Sequence, residues 1–132
     1  MCDTNVKLTA NNGNVLVFDG NPNLDGTGAI ENVLTAGDDG TLINGIIIKA
    51  TGNTNLGMIR LFINDGAGSI MLFKEVMVPA NMQTPVVPAF SARVDSTFTL
   101  KSGYSLMAST QNTENFNVVA TASNWENCEC PE

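Results

Sequence analysis

The stretch GMIRLFINDGAGSIMLFKEVMV, residues 57–78, reads as two β-strands joined by a tight turn. Both flanking runs are apolar, rich in Ile, Leu, Phe and Val, and of strand length. Between them stand Asn64, Asp65, Gly66 and Gly68, residue types that tolerate the positive φ of a short hairpin loop. Alternation puts Ile59, Leu61 and Ile63 on one face of the first run and Met58, Arg60 and Phe62 on the other. In the second run Ile70, Leu72, Lys74, Val76 and Val78 oppose Met71, Phe73, Glu75 and Met77. Each face of that second strand is largely apolar with one charge, which suits a central strand or one at an oligomer contact. Met71, Phe73 and Met77 are accordingly the candidate subunit-interface residues.

Outward from this hairpin the same texture continues. Seventeen Asn and twelve Gly punctuate the chain. The runs between them predict strands over 15–18, 30–35, 41–51, 57–64, 69–78, 85–94, 97–101, 104–110 and 115–121. In the last, Phe116, Val118, Ala120 and Ala122 alternate with Asn117, Val119, Thr121 and Ser123, a strand with one wet side. Ala36-Gly37-Asp38-Asp39-Gly40 is a second tight turn, and Thr51-Gly52-Asn53-Thr54-Asn55 a third. Asn44-Gly45 is a strong hairpin dipeptide, but the arm before it is only three residues long. One continuous strand with a bulge at Gly45 is the better reading. Pro79, Pro85 and Pro88 restrict their stretch to an edge strand or an extended loop. No segment holds a 3.6-residue period over helical length. The expectation is an all-β antiparallel sandwich of about eight strands, with the jelly roll as first choice.

The chain has 132 residues and a formal net charge of -7, with six Lys and Arg against thirteen Asp and Glu. Such a length predicts one domain over 1–132, with a flexible N-terminal segment over about 1–14 and a Cys-containing tail over about 124–132. At 43% hydrophobic and 14% charged, the chain is too apolar for disorder. It lacks the unbroken apolar run of a membrane helix and the basic stretch that begins a signal peptide. The acidic balance speaks against nucleic acid as a partner. There is no histidine, which removes the commonest general base and metal ligand. The expectation is a non-enzyme without catalytic residues, cofactor or metal.

Several constellations have a superficial look of chemistry. Residues 19–26, DGNPNLDG, space oxygen ligands like a calcium loop. Counted from Asp19, however, position 6 is Leu24 and position 12 is Ile30, so a polar surface loop is the better reading. Asp38 and Asp39 are adjacent and point apart. Glu31, Asp65, Asp95 and Glu114 form no pair by spacing. Arg60 either pairs across the sheet with Glu75 or lies on a solvent face; typical exposure favours the latter for both Arg60 and Lys49. Cys2, Cys128 and Cys130 fall short of a metal set and read as reduced thiols near the termini, with a disulfide between the termini left open. Trp125 follows the last strand and is a candidate partner contact.

The run LTAGDDGTLINGIIIKATGNTNLGMIRLFINDG at 34–66 resembles a family of small β-rich proteins of tailed bacteriophages and prophages. The resemblance continues through LFKEVMVPA at 72–80 and LKSGYSLMASTQNTENFNVVATASNW at 100–125. That family is similar to jelly-roll capsid cement or decoration proteins. The resemblance implies a virion structural protein, assembled in the bacterial host cytoplasm. Its partners would be itself, as a homo-oligomer and by preference a trimer, and the major capsid protein or other virion proteins. A tail or baseplate accessory and a carbohydrate-binding sandwich module are the alternatives. No catalytic residue is implied.

Far-ultraviolet circular dichroism should therefore show a β spectrum, with helix well below the roughly one-third typical of ordinary globular proteins.

Overall fold

The computed structural model describes residues 5–128, which contain ten strands and no helix. These are β1 (Asn5–Ala10), β2 (Gly13–Val17), β3 (Glu31–Thr35), β4 (Thr41–Ala50), β5 (Gly57–Asn64), β6 (Ile70–Val78), β7 (Ser91–Val94), β8 (Phe98–Leu100), β9 (Ser105–Thr110) and β10 (Phe116–Cys128). Every strand ladder is antiparallel.

The strands form two facing sheets. The six-stranded sheet has β10 and β4 at its centre. β1 and β2 lie in line along the outer edge of β10, and β7 and β8 lie in line along the outer edge of β4. The four-stranded sheet runs β3-β9-β5-β6. Taking each in-line pair as one position leaves eight positions, in the orders 1-8-3-6 and 2-7-4-5, which is the jelly roll of two Greek keys. The alternation in the sequence starts the sheets at Val15 and ends them at Thr121. The structure begins them at Asn5 and carries β10 to Cys128, where the β1–β10 ladder is joined by a Thr9–Glu126 side-chain hydrogen bond. Cys2 and Cys130 lie outside the described residues.

The core follows from alternation. Ile43, Ile46 and Ile48 of β4 meet Ile59 and Leu61 of β5 between the sheets, with Leu106, Phe116 and Val118 beside them. Each such aliphatic side chain contributes about 1.5–3 kcal/mol when fully buried. Two edges close by different means. At Gly13 the backbones of β2 and β3 touch, and a Cβ there would sit 2.3 Å from the Val33 carbonyl oxygen. On the opposite edge Phe73 of β6 meets Phe98 of β8 edge-to-face, with ring centroids 5.1 Å apart.

Three irregularities share one level of the six-stranded sheet. β1 and β2 are interrupted at Asn11 and Asn12; β4 passes Asn44 without a partner where β10 steps from Thr121 to Ala122; β7 and β8 are interrupted over 95–97. The continuous β4 with a bulge at Asn44-Gly45 agrees with the sequence reading. Above this crease the space between the sheets ends in a polar plug. Asn124 Oδ1 accepts from Asn11 Nδ2 at 2.8 Å and from the buried Thr41 hydroxyl at 2.6 Å. The Thr41 oxygen in turn accepts from Gly37 N–H at 2.9 Å.

β6 departs from the expectation of two unbroken alternating faces. It is an edge strand, and its register against β5 shifts between Leu61↔Lys74 and Phe62↔Leu72, leaving Phe73 in a bulge. A single extra residue reverses the parity of everything beyond it. Met77 shares the outer face with Met58, whereas Met71 pairs with Ile63, whose side chain packs on the core. Phe73 packs on the core as well. Met71, Phe73 and Met77 thus do not form one face.

Phe73→Lys should lower unfolding free energy in urea by about 2–3 kcal/mol, the expected cost of placing an amine in a half-buried aromatic contact. Met71→Lys, at an exposed position, should shift it by less than about 0.5 kcal/mol.

Candidate subunit interface

The outer face of the four-stranded sheet carries Arg60 and Phe62 on β5, and both are buried: 8% and 0% exposed. The cover is the 13-residue connection 18–30 from β2 to β3, a strap laid across that face. Gly20 pairs with Thr110 at the end of β9 and Asn21 N–H donates to the Thr110 carbonyl at 2.7 Å. Farther on, Gly26 presses on Ile70 of β6, where a Cβ would lie 2.6 Å from the Ile70 Cβ. Buried Asn21 organises the strap: its Nδ2 donates to the Thr27 and Ala29 carbonyls at 2.9 and 2.8 Å, and its Oδ1 accepts from Asn23 N–H.

This corrects two expectations from the sequence. Arg60 is not on a solvent face; it lies 3.5 Å from Glu75, its register partner on β6, and its Nη1 donates to the Asn21 carbonyl at 3.4 Å. The stretch at 19–26 is not simply a surface loop but part of a structural cover. Its oxygens are turned to internal use: Asp25 Oδ1 accepts from the Thr27 hydroxyl at 2.6 Å and from Thr27 N–H at 3.1 Å. Those two bonds, the hydroxyl's first, hold the Asp25 carboxyl below its usual range. Asp65 is held down in the same way by Ala67 and Ser69 N–H in the β5–β6 turn. No group of three or more His, Cys, Asp or Glu side chains converges among the described residues.

The two ends of the sandwich differ in chemistry. One end gathers the 36–40 turn and the last described part of β10 around an open cleft of about 420 Å³, lined by Asp38, Asp39, Asn124, Trp125 and Glu126. The Trp125 backbone N–H donates to the Gly40 carbonyl, which fixes β10 against the 36–40 turn with its two exposed acids. The Asn124 oxygen is spent in the plug and Glu126 accepts from Thr9 Oγ1, which leaves one ring and two carboxylates. That is too sparse a set for a stacking platform.

The opposite end joins β4 to β5 through 51–56 and β6 to β7 through 79–90. Residues 50–59 and 76–92 contain no charged side chain at all. Leu56, Met77, Met82, Val86 and Val87 are nonetheless exposed there. Leu56, Met58 and Met77, together with Arg60 and Gln111, line a cleft of about 310 Å³. Beside it the two loops lock together: Thr54 and Asn81 exchange both backbone hydrogen bonds at 2.9 Å, and Gln83 N–H donates to Asn53 Oδ1 at 2.7 Å. Of the contact residues expected from the sequence, only Met77 belongs to this surface; Met71 lies near the β5–β6 turn, Phe73 on the core and Trp125 at the acidic end. The sequence signal that marks the surface is the charge-free run around Pro85-Val86-Val87-Pro88.

No protein-family profile matches the chain, and no curated protein matches it in sequence. Its fold is similar to a solved chain in the acidic stable capsid structure of Helicobacter pylori bacteriophage KHP30. The TM-score is 0.59 at 11% identity, over 98% of this chain and 100% of that one. A pentameric capsid protein from metagenomic phage sequences aligns at a TM-score of 0.45 and 13% identity, over 86% of this chain and 60% of that one. The class defined is thus a single jelly-roll domain of the fold found in a phage capsid.

Asn21→Ala should lower stability by about 2 kcal/mol through the loss of the strap's hydrogen bonds, whereas chelator treatment should leave the melting temperature unchanged. Asp25 and Asp65 have lowered carboxyl pKa values, so their contribution is complete above the ordinary value of 3.8 and is lost as pH falls through the folded values. An acid titration of the melting temperature should fall below that point, and more shallowly in Asp25→Asn and Asp65→Asn.

Proposed function

We propose that the chain is a structural subunit of a bacteriophage virion: a capsid decoration protein that works as a homo-oligomer, by preference a trimer, on the outer surface of the head. The observation that carries this reading is the fold likeness, over 98% of this chain and 100% of that one, to a chain of a phage capsid structure. The resemblance of residues 34–66, 72–80 and 100–125 to small virion proteins points the same way. Outer placement is supported by charge: a subunit of net charge -7 is repelled by packaged DNA. One end of the sandwich exposes Leu56, Met77, Met82, Val86 and Val87 and the other exposes Asp38 and Asp39, a division that suits a tiling protein with one end for protein contact and the other for solvent. The proposed partners are copies of the chain itself and the major capsid protein.

Mass spectrometry of purified particles from the phage or prophage encoding the chain tests this reading. The chain should be present at a fixed ratio to the shell protein, and an amine-reactive label that cannot enter the particle should modify it there. Its absence from particles overturns the virion reading, and its presence only in isolated tails overturns the placement on the head.

A further inference from the structure

Three side chains stand in one cross-strand row on the outer face of the four-stranded sheet. Ser109 of β9 and Glu75 of β6 are the register partners of Arg60 on either side of β5. Residues paired in this way share a face, with Cβ atoms about 4.5–5.5 Å apart. Ser109 is fully buried and Arg60 more than nine-tenths buried, whereas Glu75 is exposed. The guanidinium is poorly served for a buried cation. Its Nη1 donates to the Asn21 carbonyl at 3.4 Å, and its Nε lies 3.5 Å from Glu75 Oε2. Both distances exceed the roughly 2.7–3.2 Å of an ordinary N–H···O bond. Among the described residues, the buried side-chain polar atoms without any hydrogen-bond partner are Arg60 Nε and Ser109 Oγ. Both fall in this row. A buried polar group left unpaired is costly, and more so when it carries charge.

We propose that the row binds one ordered water, which accepts from Arg60 Nε and bonds the Ser109 hydroxyl. Three features select water as the ligand. Glu75 already balances the Arg60 charge, so an anion in the row would face a carboxylate. The two atoms to be served differ in kind: Nε only donates, while the hydroxyl donates or accepts, and water matches both. The cleft of about 310 Å³ that Arg60 and Gln111 help to line brings solvent to the guanidinium. A water that accepts from Nε keeps a hydrogen for Glu75 Oε2, which turns the long ion pair into a bridged one. The water then joins β9, β5 and β6 at one level and is a structural part of the seat on which the strap lies.

The test is a crystal structure of the full chain grown with bromide as the halide. It should show one water within hydrogen-bond distance of Arg60 Nε and Ser109 Oγ, with no bromine anomalous signal there. A bromine signal at that place makes the occupant a halide and overturns the water. Nε closed directly on Glu75, with Ser109 Oγ turned onto a backbone carbonyl, overturns the site. A second measurement works in solution. Ser109→Ala should lower the melting temperature by roughly 3–5 °C, the shift expected for one lost hydrogen bond in a domain of this size. In a dry row the same change deletes an unpartnered buried hydroxyl and raises the melting temperature. A raised or unchanged value therefore overturns the proposal.

Discussion

β5 sets the problem that the rest of the domain solves. Its residues are apolar on both faces, with Ile59 and Leu61 toward the other sheet and Phe62 away from it. A two-layer sandwich covers one face only. The strap 18–30 is the third layer, laid over Arg60 and Phe62. It brings its own polar satisfaction, because a buried connection must account for each backbone group. Asn21 does this for the strap, and Arg60 is covered beneath it while its partner Glu75 stays exposed. Removing Glu75 would leave a largely desolvated guanidinium, whereas Glu75, 42% exposed, would stay solvated without Arg60.

The strands are legible in the sequence because nearly every one alternates cleanly between Gly- and Asn-rich turns, and the jelly roll follows from their number and spacing. The strap is not legible. Residues 18–30 are polar and glycine-rich, and their role depends on Asn21 reaching carbonyls six and eight residues away in a loop with no periodicity. The faces of β6 are hidden for a related reason. Alternation assumes an unbroken register, and the bulge at Phe73 carries no glycine or proline to announce it. Met71 and Met77 consequently fall on opposite sides. β1 carries the alternating signal too, Val6, Leu8 and Ala10 against Asn5, Lys7 and Thr9, in a run of only six residues.

The candidate surface is half-visible in the chain. Alternation along β6 groups Met77 with Met71 and Phe73, which the bulge places on another face. Its true neighbours, Met58 and Leu56, escape that pattern because one sits in another strand and the other in a loop. What unites them is an absence of charge over two separated stretches, a property that only the fold brings to one end. The likeness to the bacteriophage KHP30 capsid chain at 11% identity makes the same point: the arrangement of strands persists where individual residues do not.

The in-line placement of β1 and β2 has a further consequence. β2 is tied to the core through Val17 and through the close approach of Gly13 to Val33. β1 reaches the sheet only along β10, and Lys7, Leu8 and Ala10 stay exposed. Its backbone hydrogen bonds are therefore not backed by burial, and opening it uncovers little apolar area. The domain should have a hierarchy of opening energies, with the β1 amides exchanging their protons through a local peeling and those of β4 and β5 only through global unfolding. The crease at Asn11 and Asn12 marks where that peeling stops.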